Sequence, residues 1–413
     1  MASVIKEKFE IPAKMRTWSM GLIIVGLIVL IIGFFTKGMS NDAHDQAVFW
    51  GTFLYNSIFF LVMCNACMFF ISINTLAMAG WDASFRRVSE ALSSLAPIFG
   101  VIAGILMIFL VLSGNGLIYP WSNSEKVADS VLIKGKIGFL NPTFFILWTI
   151  ASIGLWSLLG ARMRKLSSET DHTKMNGETG KGYVWRTTVT AGLFVVWFAL
   201  TMGSMTPWFW MMSIDAEWYS TMYSWYVFVS AFVSGLSLIT IWVIYLKNKG
   251  YLELTNNEHL HDMGKYMFAF SIFWAYVWFA QYMLIWYGNI PEETIYFKHR
   301  VQGPYKGIFF LNLILNFVCP ILILMKRSAK RNYALMTFMA VLLIFGHWLD
   351  FYQMIMGGIS KESVPLAESG WLDFGIVALF IGLMIHFAGK SLASKPLIPK
   401  YNPYLKESIV HHT

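Results

Sequence analysis

Residues 93–113 read SSLAPIFGVIAGILMIFLVLS, a stretch in which no side chain carries a charge. At 1.5 Å per residue, a helix over this stretch is about 31 Å long, which is enough to cross the ~30 Å hydrocarbon core of a bilayer. Gly100 and Gly104 add a GxxxG pair, which is typical of helices that pack closely inside membranes. The stretch therefore predicts a membrane-spanning helix.

Nine further runs are also predominantly apolar and long enough to cross a bilayer, so the sequence predicts ten transmembrane helices. The ten segments cover residues 17–37, 47–79, 93–113, 143–162, 189–213, 224–246, 264–287, 308–326, 333–356 and 371–389. The first follows a polar stretch without a small-residue cleavage site, which favours a retained helix over a signal peptide. The predicted fold class is thus an all-α polytopic membrane protein with ten transmembrane helices.

The composition of the 413-residue chain agrees, because 57% of its residues are hydrophobic, 17% aromatic and only 13% charged. Soluble domains carry roughly 25% charged residues, and disordered chains are rich in charge and poor in aromatics. A soluble enzyme and a disordered protein are therefore excluded. The formal net charge of +8 does not indicate nucleic-acid binding, since a basic excess in a membrane protein reflects loop topology and anionic lipids.

The basic residues divide unequally between the two sides of the membrane. The N-terminus, the C-terminus and the loops after segments 2, 4, 6 and 8 lie on one side of the membrane. That side holds about three times as many of the 31 Lys and Arg residues as the other side. By the positive-inside rule, we expect both termini in the cytoplasm. Two long loops then lie outside, at 114–142 and 288–307, and we expect them to form docking surfaces.

The sequence contains no recognisable soluble-enzyme motif and no metal-binding pattern. Cys64, Cys67 and Cys319 are too few for a disulfide framework or an iron–sulfur cluster, and no His follows the CxxC as a covalent haem site requires. Only His347 and His386 lie inside predicted segments, near opposite sides of the membrane, so they cannot ligate one haem iron. We therefore assign no catalytic residue to this chain and expect it to bind no metal and no cofactor, with quinol or menaquinol left open as an alternative.

The ninth segment carries the most distinctive ionisable pair, in the stretch GHWLDF at 346–351. His347 lies at a depth of ~21 Å from Tyr333, and Asp350 follows one turn later on the same helix face. An ionised carboxylate in the hydrocarbon region is costly unless it is paired or hydrated, and intramembrane acids often mark proton paths. We predict a proton path through His347 and Asp350, with a purely structural buried hydrogen bond as the alternative.

Amide side chains lie at a similar depth in neighbouring segments: Asn56, Gln281, Asn312 and Asn316. Such a layer could bind a quinone head group, hydrate a proton path or hold helices together. The quinone alternative assigns Gln281, Asn312, His347 and Asp350 to one head-group pocket. Asp373, at the outer end of the tenth segment, is predicted to be interfacial.

Several stretches together resemble the NrfD/PsrC-like family of quinone-interacting membrane subunits. The matching stretches are GWD at 80–82, FRR at 85–87, WYST at 218–221, IWYGN at 285–289 and GHWLDF at 346–351. Their order and spacing resemble the family across all ten segments, most clearly from about residue 47 to residue 356. Within the family, the chain is most similar to the ActF-type subunit of alternative complex III, a bacterial quinol:cytochrome c oxidoreductase.

The resemblance implies two four-helix bundles with one peripheral helix at each end. It divides the chain into 1–46 (cytoplasmic N-terminus and peripheral helix), 47–213 (first bundle), 214–356 (second bundle) and 357–413 (peripheral helix and cytoplasmic C-terminus). Quinol-oxidising members carry ionisable residues in the outer halves of the second and fifth segments, where this chain has no His, Asp or Glu. The resemblance therefore implies that a paralogous subunit holds the quinol site, while this chain supports assembly and conducts protons.

The resemblance also implies partners and a location. Extrinsic iron–sulfur and haem c subunits would dock on the outer face, and a paralogous NrfD-like subunit, small membrane subunits and a terminal oxidase would lie alongside. The complex would use quinol or menaquinol in the inner (cytoplasmic) membrane of a bacterium.

Two other functions fit the sequence. One is a quinone-binding membrane anchor of a molybdopterin/iron–sulfur oxidoreductase, which would use the head-group pocket described above. The other is a secondary transporter, although Pro97, Pro207 and Pro320 lie near segment ends rather than at the midplane breaks that transporters often show.

Overall fold

A computed structural model describes residues 6–412, and within that range the chain folds into helices without a β-strand. Ten of the described helices are long and apolar enough to cross a membrane: α1 Ala13–Gly38, α2 Ala43–Leu76, α3 Arg86–Leu112, α4 Pro142–Glu169, α5 Gly177–Trp210, α6 Met222–Asn248, α7 Asn257–Gly288, α8 Lys306–Leu324, α9 Tyr333–Ile359 and α10 Pro365–Ala393. The prediction of an all-α polytopic membrane protein is confirmed. Several helices exceed the predicted segments because polar residues continue the helix beyond the apolar run.

An even number of spans brings both ends of the described chain to one membrane face, which we call the terminal face. The segments before α1 and after α10 meet there, where the backbone N–H of Leu397 donates to the carbonyl oxygen of Glu7 at 2.9 Å. The other face, the distal face, carries the connections after α1, α3, α5, α7 and α9.

Two closed rings of four helices make up the body of the protein. Helices α2–α5 form one ring, in which each helix packs on the next and α5 returns to α2, and α6–α9 form the second ring in the same way. The two rings join mainly through α2, which packs against α6 and α9. Consequently α2 and α6 are the most buried helices, whereas α1 is largely exposed to the surroundings of the molecule.

The peripheral helices α1 and α10 pack side by side along glycine-rich stripes. Small residues recur every seven positions on both helices: Ser19, Gly26 and Gly33 on α1, and Gly375, Gly382 and Gly389 on α10. A Cβ atom at Gly26 would lie 2.6 Å from the Cα of Leu379, and one at Gly382 would lie 2.8 Å from the backbone nitrogen of Ile23. The missing side chains therefore let the two backbones approach closely, as small residues commonly do in membranes.

The long connections on the distal face contain short helices. Helices Ser124–Asp129 and Val131–Gly135 lie between α3 and α4, and helix Pro291–Val301 lies between α7 and α8. The last begins with Pro at its first position, has Glu292 and Glu293 in its first turn and ends with basic residues, an order that suits the helix dipole. Helix Pro291–Val301 packs against α7, α8 and α9, so it covers the distal end of the second ring.

Candidate functional site

The carboxylate of Asp350 lies inside the second ring with only 1% of its surface exposed, and three side chains donate to it. The hydroxyl of Tyr226 donates to Oδ1, while the Ser230 hydroxyl and the Trp274 indole N–H donate to Oδ2 at 3.1 and 2.9 Å. A buried carboxylate with three donors is well solvated by the protein and can persist in the hydrocarbon region. Asp350 is therefore the centre of a polar network rather than an isolated acid.

His347 joins this network through Ser230. Its Nδ1 lies 2.9 Å from the Ser230 hydroxyl oxygen and 4.0 Å from Oδ2 of Asp350. Because the single hydroxyl hydrogen points to Asp350, the serine oxygen accepts from His347 Nδ1–H, which fixes the imidazole tautomer. The other ring nitrogen, Nε2, is buried and has no hydrogen-bond partner among residues 6–412. If Nε2 takes up a proton, the imidazole becomes cationic, and its Nδ1 proton can then pass to the Ser230 oxygen while the Ser230 hydroxyl proton passes to Asp350.

Helical periodicity explains how four of these groups come together. His347 and Asp350 are three residues apart on α9, and Tyr226 and Ser230 are four residues apart on α6, so each pair shares one helix face. Helices α6 and α9 pack together along those faces, and α7 adds Trp274 from the third side. The predicted proximity of His347 and Asp350 is present in the structure.

A small cavity of about 20 Å³ adjoins Asp350 on the side that faces the distal end. Gln281 of α7, Gln353 of α9, and Tyr296 and Arg300 of helix Pro291–Val301 line it together with Asp350. One water molecule needs ~10–15 Å³ of such space and two to four polar partners, and this cavity meets both needs. The site can therefore hold a water that connects Asp350 to the residues above it.

Arg300 separates this cavity from a larger cleft of about 400 Å³ that opens on the distal face and is lined by Asp215 and Lys361. Only 2% of Arg300 is exposed; its guanidinium lies 3.4 Å from the centroid of the Tyr296 ring and 3.4 Å from Oδ2 of Asp215. Burial opposes the charge of Arg300, but Tyr296 and Asp215 hold its pKa above the ordinary value. Burial raises the pKa of Tyr296 to about 12. Arg300 is thus a fixed cation between the Asp350 cavity and the surface.

The four residues of the predicted quinone pocket lie close together but do not share one cavity. Gln281 and Asp350 line the 20 Å³ cavity, whereas Asn312 reaches it only through its hydrogen bond to Gln353, at 2.8 Å. His347 does not line it. Ligand pockets usually measure ~300–1,000 Å³, so the cavity in this conformation is far too small for a quinone ring.

Two of the other polar residues lie elsewhere. Asn56 accepts from the Trp348 indole N–H at 2.9 Å, which ties α2 to the back of α9. Asp373, which was predicted to be interfacial, is fully buried within the protein, and the Tyr55 hydroxyl donates to it at 2.7 Å. The reason is that α10 packs this face of its helix against α2, where Tyr55 and Thr52 solvate the carboxylate.

Sequence reasoning did not assign Tyr226, Ser230, Trp274 or Arg300 to the site. The first three come from α6 and α7 and meet Asp350 only through tertiary packing. For Arg300 the signal was available, because the Pro, acidic and basic order of residues 291–300 predicts a helix rather than a loop.

The fold and the site define an all-α polytopic membrane protein with a hydrogen-bonded carboxylate buried in its second helix ring. Within residues 6–412, no three His, Cys, Asp or Glu side chains come together as a metal ion would need. The sequence matches no protein-family model, and no curated protein matches it significantly. The family resemblance noted in the sequence therefore stays a prediction.

Proposed function

We propose that this chain is an NrfD/PsrC-like integral subunit of a respiratory quinol:cytochrome c oxidoreductase of the alternative complex III type, in which it supports assembly and conducts protons. The observation that carries the proposal is the Asp350 network. An ionisable group inside a membrane bundle is a functional-site hypothesis by default, because its burial is costly. Here the cost is offset by donors and by a neighbouring imidazole, an arrangement that suits a group that takes up and releases a proton.

The cavities support a proton route from Asp350 to the distal face only. From Asp350 the small cavity leads to Tyr296 and Arg300, and both of these residues also line the cleft that opens on the distal face. In the proposed orientation the distal face lies outside the cytoplasm, where quinol oxidation releases its protons.

The two closed rings and the peripheral pair α1–α10 agree with the arrangement that the family resemblance implies. The small volume beside Asp350 favours proton conduction over the alternative in which this chain binds the quinone ring itself. In the proposed complex, the quinol or menaquinol, haem c and iron–sulfur clusters belong to partner subunits.

Co-purification tests the assignment to this complex. The tag belongs at the N-terminus, because the His411 ring near the C-terminus bonds to Asp262 at 2.6 Å and a C-terminal tag would disturb that contact. The expected result is that the tagged chain, extracted from its native membrane in mild detergent, brings down proteins that contain haem c and iron–sulfur clusters, with quinol:cytochrome c reductase activity. A chain that purifies without either protein, and without that activity, would contradict the assignment.

A further inference from the structure

A long apolar groove of about 800 Å³ runs between the α1–α10 pair and the second ring. Helices α1, α10, α6 and α9 form its walls and α2 its floor, with side chains that include Phe59, Trp242, Val341, Trp348 and Ile381. We call it the lateral groove. Helix α10 lines it from Phe374 to Ile385, about 16 Å along the helix. This length matches one leaflet, which is half of the ~30 Å hydrocarbon core.

The lateral groove ends at the terminal face beside two exposed lysines, Lys14 at the start of α1 and Lys249 after α6, which both line it. Within residues 6–412 neither lysine has a carboxylate within ion-pair distance, whereas Lys265 and Lys361, for example, each pair with an aspartate. Lys6 adds a third basic group near this end, with its ammonium 5.2 Å from the centroid of the Tyr251 ring. The apolar groove thus has a basic mouth at the membrane surface.

We propose that the lateral groove binds one anionic phospholipid, whose acyl chains lie along α10 and whose phosphate lies between Lys14 and Lys249. Apolar length, leaflet depth and a basic mouth together match the chemistry of such a lipid. A quinone ring would find few polar partners along the walls, since the Trp348 N–H already bonds to Asn56.

The proposal can be tested on the full-length protein in mixed micelles that contain equal amounts of phosphatidylglycerol and phosphatidylcholine with identical chains. Native mass spectrometry then counts the molecules of each lipid that stay bound. Each lysine near a membrane surface favours an anionic lipid roughly fivefold. The wild type is therefore expected to retain phosphatidylglycerol at least tenfold over phosphatidylcholine, and Lys14→Gln/Lys249→Gln to lose most of that preference.

Matched variants separate this site from general lipid adhesion. Lys165→Gln/Lys174→Gln removes the same charge from exposed positions of α4 and its following loop and should keep the wild-type preference. Val341→Trp fills the groove from a position 55% exposed and should abolish retention of both lipids, whereas Val101→Trp, at 58% exposed on α3, should not.

Three outcomes would overturn the proposal. They are equal retention of the two lipids by the wild type, equal losses from the two lysine pairs, and full retention by Val341→Trp. If the groove instead holds a helix from another chain, no phospholipid will be retained there even in the wild type. The proposal does not depend on the function proposed above, so either can fail without the other.

Discussion

Replacing Ser230 with Ala should uncouple His347 from Asp350, because the Ser230 hydroxyl is the only group that bonds to both of them among residues 6–412. The substitution removes one oxygen from a fully buried position and leaves Nδ1 of His347 without its partner. Ser234, one turn further along α6 and equally buried, supplies a matched control. Its hydroxyl donates only to the backbone oxygen of Ser230, at 2.8 Å.

The expected magnitudes follow from these contacts. A hydrogen bond to a charged group contributes ~1.5–3 kcal/mol in soluble proteins, but side-chain hydrogen bonds inside membranes average ~0.6 kcal/mol and reach ~1.7 kcal/mol. Since Ser230 makes two bonds, Ser230→Ala should lower the free energy of unfolding by about 1–2 kcal/mol. Ser234→Ala loses one bond within its own helix and should change it by less than ~0.5 kcal/mol.

Unfolding in mixed micelles by titration with a denaturing detergent measures both values. A double-mutant cycle with Asp350→Asn then isolates the interaction, since the Ser230→Ala cost should shrink when the carboxylate is already neutral. Equal losses for Ser230→Ala and Ser234→Ala, or no coupling to Asp350, would refute the network as the structure describes it.

Three further predictions use the same titration. Tyr226→Phe should lower the free energy of unfolding by about 1–2 kcal/mol, because it removes a donor to the Asp350 carboxylate. Tyr223→Phe should change it little, since the buried Tyr223 hydroxyl has no partner within residues 6–412. Equal losses of stability in the two variants would contradict this prediction. Gly382→Val should cost ~1–3 kcal/mol by forcing α10 away from α1, while Gly21→Val, whose Cβ would meet nothing within 4 Å, should cost less than ~0.5 kcal/mol. Burial raises the pKa of Asp82 from 3.8 to about 6, so the folded chain holds this proton more tightly than the unfolded chain and stability should fall as the pH rises from about 4 to about 6. Asp82→Asn should remove up to about 3 kcal/mol of that fall. If the free energy of unfolding differs between pH 4 and pH 7 by the same amount in Asp82→Asn as in the wild type, Asp82 does not titrate in this way.

The number of membrane-spanning helices could be predicted from the sequence, because each apolar run has to match the bilayer thickness, a constraint that needs no tertiary information. The ends of the helices could be predicted less well. Helix α7 begins at Asn257, seven residues before the predicted segment, since Asn256 caps it with bonds to the backbone N–H groups of Glu258 and His259. Capping by polar residues lets a helix continue beyond the apolar run into the membrane–water interface, where hydropathy no longer indicates a helix.

Only the part of the candidate site that lies on one helix could be predicted from the sequence. His347 and Asp350 lie one turn apart on one helix, so their proximity follows from the 3.6-residue period alone. The donors to Asp350 come from residues 76 to 124 positions away, and only the packing of α6 and α7 against α9 selects them. The burial of Asp373 was missed because a position near a segment end says nothing about which neighbour covers it.

Proton release by the purified and reconstituted complex tests the central claim most directly. With Asp350→Asn in this chain, assembly should be intact, while proton release to the distal side during quinol oxidation should fall at least several-fold. Asp373→Asn, the same change at a buried carboxylate that lines neither the cavity nor the cleft, should retain release. Unchanged release in an assembled Asp350→Asn complex, or an equal loss in Asp373→Asn, would contradict a proton path through Asp350 and His347.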